Sequence, residues 1–339
     1  MTVSELEHFR DLLLERENLL TGLLDSLTEK SEDEARKVRE LVAQIRNALL
    51  RVEEHSFGTC EICRGEVELY RLEAQPALQV CLSCISDHER KQLEDELFVA
   101  SKIHRALLPQ TVRAIEGFDL SIRSQAAGNV GGDYFDVLPT SDGLVRIVIA
   151  DTMGKGLPAG MLMSNLQGAL RVLAEDIQSP APLVKKLNGW LCRNVPVTKF
   201  VSLTCIAVGP TSAPQAELAY TNAGHCPAVL VRSDGSVSRL VTTGGVLGVH
   251  EAFAYEERRI QMHPDDLLVL FTDGASEATN EKDEMFGEDR LVDYVRSNRS
   301  LPCEKLVDSL VGEVHSFAGS TVLEDDCTIL ALRRQGKYV

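Results

Sequence analysis

Two aspartates bracket a stretch at 128–156, GNVGGDYFDVLPTSDGLVRIVIADTMGKG, that reads as a hairpin. Tyr134, Phe135, Val137 and Leu138 favour a strand. Pro139, Thr140, Ser141, Asp142 and Gly143 are turn residues, and 144–150 is an apolar return. Pairing Leu138 with Leu144 sets Asp133 opposite Ile149, two residues from Asp151. Side chains alternate along a strand, so Asp133 and Asp151 share one face and Asp136 takes the other. Two carboxylates at the end of a buried hairpin repel unless a cation lies between them, which points to a hard-metal site.

Two more acidic positions stand at strand ends. The apolar run LLVLFTDG ends in Asp273 and Gly274, and Asp325 and Asp326 precede the run CTILALRR. If those strands are antiparallel neighbours, the end of one meets the start of the other. Four carboxylates then converge at one rim. Such a set suits two Mg²⁺ or Mn²⁺ ions rather than zinc. Two such ions about 3.5–4 Å apart activate a water for in-line phosphoryl displacement. Each motif alone is ordinary turn chemistry; their joint placement at strand ends carries the reading.

Cysteine spacing gives a second metal signal. Cys60 and Cys63 form one CxxC pair, and Cys81 and Cys84 form another after a short interval. Four thiolates in two close pairs make a closed tetrahedral zinc site. The segment between them has too little apolar mass to fold without the metal. Cys192, Cys205, Cys226, Cys303 and Cys327 lack such spacing and read as small buried apolar residues. His225, in Asn222-Ala223-Gly224-His225, reads as part of a strand-ending turn rather than a general acid. Lys155, between two glycines, lacks the spacing of a phosphate loop and opens a helix instead.

The elements that must position these groups are legible from periodicity. Leu6, Phe9, Leu12, Leu13, Leu19, Leu20, Leu23, Leu24 and Leu27 make a helical stripe, broken by polar residues at 28–33. Ala35, Val38, Leu41, Val42, Ile45, Leu49 and Val52 resume it. An antiparallel helical hairpin follows, with one long dimeric coiled coil as the competing reading. Residues 85–108 are helical again, with Leu93, Leu97, Ala100, His104 and Leu107 on one seam that offers a surface for homodimer pairing; Pro109 ends the helix. Strands are expected near 118–124, 131–138, 144–151, 201–208, 216–222, 227–232, 237–241, 253–262, 267–272 and 327–333. Helices are expected near 157–175, 180–194, 287–298 and 303–317. Strands flanking two helix pairs imply an α/β sandwich with antiparallel sheets.

The whole chain, 339 residues with a formal net charge of −16, is long enough for about two domains. Its acidity argues against direct DNA or RNA binding. No apolar run reaches the roughly 20 residues of a membrane helix, and no signal peptide is visible. Nine cysteines without an export signal fit thiols and metal ligands in the cytoplasm better than disulfides.

Two stretches carry family resemblances. FGTCEICRGEVELYRLEAQPALQVCLSCISDHER, with the helical hairpin before it, resembles the DksA/TraR-type C4 zinc finger. KIHRALLPQ, GGDYFDV, ADTMGKGLPAGMLMS, NAGHCPAVLV, LVLFTDGASEA with MFG, and DDCTILALRR resemble, in order, the SpoIIE/RsbU-type branch of the PPM metal-dependent serine/threonine phosphatases. The resemblance implies an α+β fold, a PPM-type α-β-β-α sandwich preceded by the hairpin and its small zinc finger. It divides the chain into 1–56, a helical hairpin; 57–90, the finger; 91–110, a linker helix; and 111–339, the phosphatase domain.

It also implies metal-binding roles for Asp133, Asp151, Asp273 and Asp325, with the backbone carbonyl of Thr152 and with Asp136 and Asp326 as neighbours. The implied cofactors are two Mn²⁺ or Mg²⁺ and one structural Zn²⁺. The implied activity is hydrolysis of phosphoserine or phosphothreonine by metal-activated water. The implied substrate is a STAS-domain anti-sigma-factor antagonist, which places the chain in sigma factor regulation. Thr152, Cys226 and Cys327 depart from the family's usual residues, and none removes an expected ligand. The rival reading is a zinc-finger transcription regulator that contacts RNA polymerase and uses the phosphatase domain only to bind a phosphoprotein.

Overall fold

The structure is a computed structural model describing residues 3–26, 32–85, 87–109, 114–140, 143–196, 198–209 and 216–336. The chain divides into two compact units, Met1–Asp95 and Glu96–Val339. Of the expected polar break at 28–33, residues 28–31 lie outside the described residues, while Glu32 and Asp33 open a helix instead; the turn residues Ser141 and Asp142 and the expected boundary at 110–111 also lie outside them.

In the first unit, α1 (Val3–Ser26) and α2 (Glu32–Glu53) pack as an antiparallel pair, with Arg46 Nε 2.6 Å from Glu17 Oε1. Phe9 and Leu13 meet Ile45, Ala48 and Val52 in one buried cluster, as their three- and four-residue spacing requires. This packing sets aside the single long coiled coil. The stripe is narrower than the sequence implied: Leu19 and Leu41 are exposed to solvent. The same cluster takes in Phe57, Cys60, Val67, Leu72 and Cys81, so the finger and the helices share a core. A short helix, α3 (Leu69–Ala74), and a 3-10 turn at Leu82–Cys84 complete the finger. Next comes α4 (Asp87–Leu107), which spans the division between the units.

The second unit is built from β1 (Phe118–Gln125), β2 (Tyr134–Pro139), β3 (Val145–Thr152), α5 (Leu157–Asp176), α6 (Pro180–Asn194), β4 (Val201–Val208), β5 (Ala216–Ala223), β6 (Ala228–Val231), β7 (Val237–Leu240), β8 (Arg258–Met262), β9 (Leu267–Phe271), α7 (Asp273–Ser276), α8 (Glu288–Ser297), α9 (Cys303–Ala318) and β10 (Cys327–Arg334). The strands form two antiparallel five-stranded sheets, ordered β1-β10-β9-β6-β7 and β2-β3-β4-β5-β8.

Helices cover both outer faces. Ile147 and Ile149 of β3 and Leu268 and Leu270 of β9 fill the space between the sheets. Val148 and Ala150 face α5 and α6, while Leu267, Val269 and Phe271 face α8 and α9. Burial on both faces explains why these strands read as continuous apolar runs rather than alternating ones. The α-β-β-α sandwich expected from the sequence is the observed fold. The expected strand at 253–262 is shorter, beginning at Arg258.

The hairpin register differs from the expected one by two residues. Leu138 pairs with Arg146 and Pro139 with Val145. Proline fits within the strand because β2 is an edge strand, where a missing N–H need not break a ladder. The shift preserves side-chain parity and brings Asp133 directly opposite Asp151 when the register is continued by one residue. No described helix is long and apolar enough to cross a membrane.

Leu330 is wholly buried between the sheets. Leu330→Ala should destabilise this unit by about 2–5 kcal/mol, the usual cost of a methylene-lined cavity. A lower urea midpoint at unchanged slope, read from the single tryptophan Trp190 on α6, checks it.

Candidate metal centres

Asp133 lies at the deep end of a carboxylate cluster between the two sheets. It follows the loop 127–132 and precedes β2, on the face that carries Phe135 and Val137 into the inter-sheet core. Its Oδ2 accepts hydrogen bonds from the hydroxyls of Thr272, at 2.8 Å, and Thr328, at 2.6 Å. Both threonines come from the opposite sheet, at the ends of β9 and β10. The Thr272 hydroxyl also accepts the Thr328 backbone N–H at 2.9 Å. The other carboxylate oxygen, Asp133 Oδ1, is buried and has no hydrogen-bond partner. A buried, unpartnered carboxylate oxygen is costly unless a cation completes it.

Asp326 holds the loop that leads to Asp133. Its Oδ1 accepts the Ala127 N–H at 2.7 Å and its Oδ2 the Gly132 N–H at 2.5 Å. Space is tight here: a Cβ on Gly131 would fall 2.7 Å from Asp326 Oδ2, and one on Gly274 would overlap the Asp326 backbone oxygen. The neighbouring Asp325 turns toward the mouth, where Lys155 Nζ is 3.0 Å from its Oδ2 and donates to Glu324 O at 2.6 Å.

Burial and like charge act together on the remaining groups. Burial pushes Asp133 well above the usual carboxylate range, against the two threonine hydroxyls, and Asp151 raises it further. Burial, then Asp273, Asp325 and Asp326, push Asp151 up to about 7. Asp273, at the start of α7, is raised by burial and by Asp325. Thr152 is buried beside Asp151. Its hydroxyl donates to Ala159 O at 3.2 Å, and its backbone oxygen stands 3.0 Å from where a Cβ on Gly132 would lie. The fold therefore gathers Asp133, Asp151, Asp273, Asp325 and Asp326 at one end of the sandwich. Among the described residues their oxygens do not approach as closely as the four thiols do. The donor set, all oxygen and one of it orphaned, fits hard divalent cations.

Asp136 is not part of this cluster. It points to the other face of β2, where its Oδ2 accepts from the Tyr134 hydroxyl at 2.6 Å and Arg171 Nε at 2.9 Å. The parity of the strand, as expected, dictates this, and Asp136 is set aside as the secondary candidate that the resemblance implied. His225 is buried, and burial lowers it to about 4, so the ring is neutral at ordinary pH. Its Nδ1 lies 2.8 Å from Ser202 Oγ, and Asn222 brackets it by accepting its N–H and donating to its carbonyl. Cys226 and Arg232 have the Cys-x5-Arg spacing of a thiol phosphatase, but β6 separates them and Arg232 pairs with Asp266 at 2.8 Å. Cys226 and Cys192 are only partly buried, unlike Cys205, Cys303 and Cys327. Sequence reasoning missed Thr272 and Thr328, although each falls on the inward parity of its strand beside a chosen aspartate.

The thiol site is compact. The sulfurs of Cys60, Cys63, Cys81 and Cys84 all lie within 4.8 Å of one another. Backbone N–H groups near Cys63 and Cys81 lower the Cys60 thiol to about 6, while neighbouring sulfurs push Cys84 up to about 12. One knuckle turns through Arg64, with φ of 61°, as Cys60 N–H donates to Gly65 O at 2.7 Å. The other is held by Glu68, whose carboxylate accepts the Leu82 N–H at 3.0 Å. Clustered thiols with one anionic member are the starting state of a tetrathiolate metal site.

Two outcomes follow from these charges. The three raised aspartates bind more protons folded than unfolded above the ordinary carboxylate range, and for Asp151 that excess lasts to about pH 7. Stability of the cation-free protein should therefore fall as pH rises from about 4 through about 7, and added Mg²⁺ should restore it at the upper end. Melting temperature against pH, with and without Mg²⁺, reads this. Stripping the thiol site with a chelator should melt the finger and loosen the α1–α2 core it shares, seen as lost far-UV helicity.

Known proteins resemble this chain over each of its two units. Residues 55–90 match the prokaryotic dksA/traR C4-type zinc finger. Over 118 aligned residues the chain is 28% identical to the RNA polymerase-binding transcription factor DksA of Escherichia coli K12, covering 27% of this chain and 78% of that one. The phosphoserine phosphatase RsbU of Bacillus subtilis is 27% identical over 250 residues, covering 73% of this chain and 72% of RsbU. The SiaA-PP2C domain of Pseudomonas aeruginosa superposes with a TM-score of 0.63 at 24% identity, over 72% of this chain and 98% of that domain, and so shares the fold. Residues 141–335, more than half of the chain, match the family described as Stage II sporulation protein E, and the chain belongs to that SpoIIE family.

Proposed function

We propose that the chain is a metal-dependent protein serine/threonine phosphatase acting on a phosphorylated regulatory protein. The observation that carries this reading is the orphaned oxygen of Asp133 within a five-aspartate end of the sandwich, in a chain of the SpoIIE family. Asp133, Asp151, Asp273, Asp325 and the Thr152 carbonyl are the groups we assign to hold two Mn²⁺ or Mg²⁺ ions. When bound, such ions supply an activated water and neutralise charge on the phosphoryl group.

The chain's own residues do the rest. Thr272 and Thr328 fix the Asp133 carboxylate by hydrogen bonds to one oxygen, which leaves the other aimed for a cation. Asp326 holds the approach loop through two backbone N–H groups. Lys155 places a solvent-exposed ammonium beside Asp325. His225 stays neutral and shapes the turn, so it is not assigned as a general acid.

The relatives favour particular partners. RsbU is named a phosphoserine phosphatase, and by that likeness the substrate here is a phosphoserine protein; the family resemblance further implies a STAS-domain anti-sigma-factor antagonist, met in the cytoplasm. The zinc finger, with one structural Zn²⁺, is the regulatory or docking unit. A second reading has a specific support in the likeness of the first unit to DksA: that unit binds RNA polymerase. Of the seam expected on α4, His104 and Leu107 are instead packed against the second unit's core, and only Leu93 and Leu97 remain exposed for homodimer pairing. Pull-downs with polymerase and with a phosphorylated STAS protein separate the two partner readings.

Asp151→Asn should lower cation-dependent hydrolysis of a phosphoserine protein about a hundredfold or more, because several kcal/mol of transition-state stabilisation is lost. Turnover near that of the wild type would overturn the assignment. Asp136→Asn serves as the contrast: it breaks the contact to Arg171 and should cost thermal stability while sparing kcat.

A further inference from the structure

The loop 127–132 decides where Asp133 stands, and three elements hold it. Asp326 takes the Ala127 and Gly132 N–H groups. On α5, Gly160 leaves room for Val130, since a Cβ there would overlap the valine side chain. The third element is α4. Its His104 is buried, and the ring Nε2 lies 2.8 Å from Gly131 O. A carbonyl can only accept, so Nε2 carries the proton and donates. Burial lowers the ring's proton affinity, against the Gly131 bond and Asp326. His104 is one residue-pair away from the chemistry: it bonds Gly131, and Asp133 follows two positions later. A cavity of about 370 Å³ beside this contact is lined by His104, Ser124, Asn129, Asp133 and Asp326, so the loop is not packed rigidly on every side.

We propose that His104 is a positioning residue, whose Nε2–H bond to Gly131 sets the loop that carries Asp133 and so makes α4 part of the metal site. This rests on the phosphatase reading above. Loss of that bond then weakens cation affinity through the loop. The bond needs a donor at the ring's position, not merely a side chain of similar bulk.

The test compares His104→Leu, which fills the space without a donor, with His104→Gln, which restores one. Calorimetric Mn²⁺ titration should show affinity about tenfold weaker for leucine and within about twofold of wild type for glutamine, the size of effect usual for groups that orient metal ligands. Turnover of the leucine variant should recover at saturating Mn²⁺. Hydrogen exchange of the peptide covering 127–133 should rise in the leucine variant and not in the glutamine one. Equal Mn²⁺ affinity and equal exchange in both variants would overturn the proposal, as would a loss in leucine that tracks melting temperature alone. If the leucine variant does not fold, the wild-type imidazole ¹⁵N spectrum decides: the His104 Nε2–H signal should shift on Mg²⁺ titration, and an unmoved signal would sink the coupling. The exchange comparison needs no metal. A wild-type chain that binds no Mn²⁺ and hydrolyses no phosphoserine would therefore refute the phosphatase reading while the exchange data still judge the contact.

Discussion

Mutual repulsion among carboxylates held in a poorly hydrated space sets the terms for the second unit. Asp133, Asp151 and Asp273 all bind protons more tightly than free aspartate, and each is raised partly by another aspartate. A fold does not gather such groups for stability, because each could be replaced by an apolar side chain at lower cost. The surrounding architecture counters the repulsion without removing it. Threonine hydroxyls bond one oxygen of Asp133, backbone N–H groups bond both oxygens of Asp326, and an ammonium bonds Asp325. What is left uncompensated is directed at a cation.

Much of this was legible in the chain before any coordinates. Apolar runs such as 267–271 and 145–150 announce strands buried on both faces, and period-two parity put Asp133 with Asp151 and turned Asp136 away. That parity survived an error of two residues in the hairpin register, because a shift of two returns every side chain to its own face. The error arose from reading Pro139 as turn when it is the last residue of an edge strand. The thiol site was legible from spacing alone.

Other features were hidden for physical reasons. The bonds from Thr272 and Thr328 to Asp133 cross between two sheets and join residues more than a hundred positions apart, a relation that no local pattern encodes. Asp325 and Asp326 are adjacent and chemically alike, yet one faces the mouth beside Lys155 and the other clamps a loop. Only the close approach permitted by Gly274 and Gly131 separates their roles. The amphipathic stripes of the first helices overstated burial for the same kind of reason: periodicity gives a face, and the partner's width decides how much of that face is covered.

The pair of hydroxyl bonds to Asp133 has a consequence for how the molecule matures. Asp133 belongs to one sheet and its two hydroxyl donors to the other. The carboxylate therefore reaches its final orientation only when both sheets have closed on their common core. A chain with one sheet formed and the other adrift has the aspartates but not their arrangement. The final arrangement of the aspartates and completed tertiary structure become a single event.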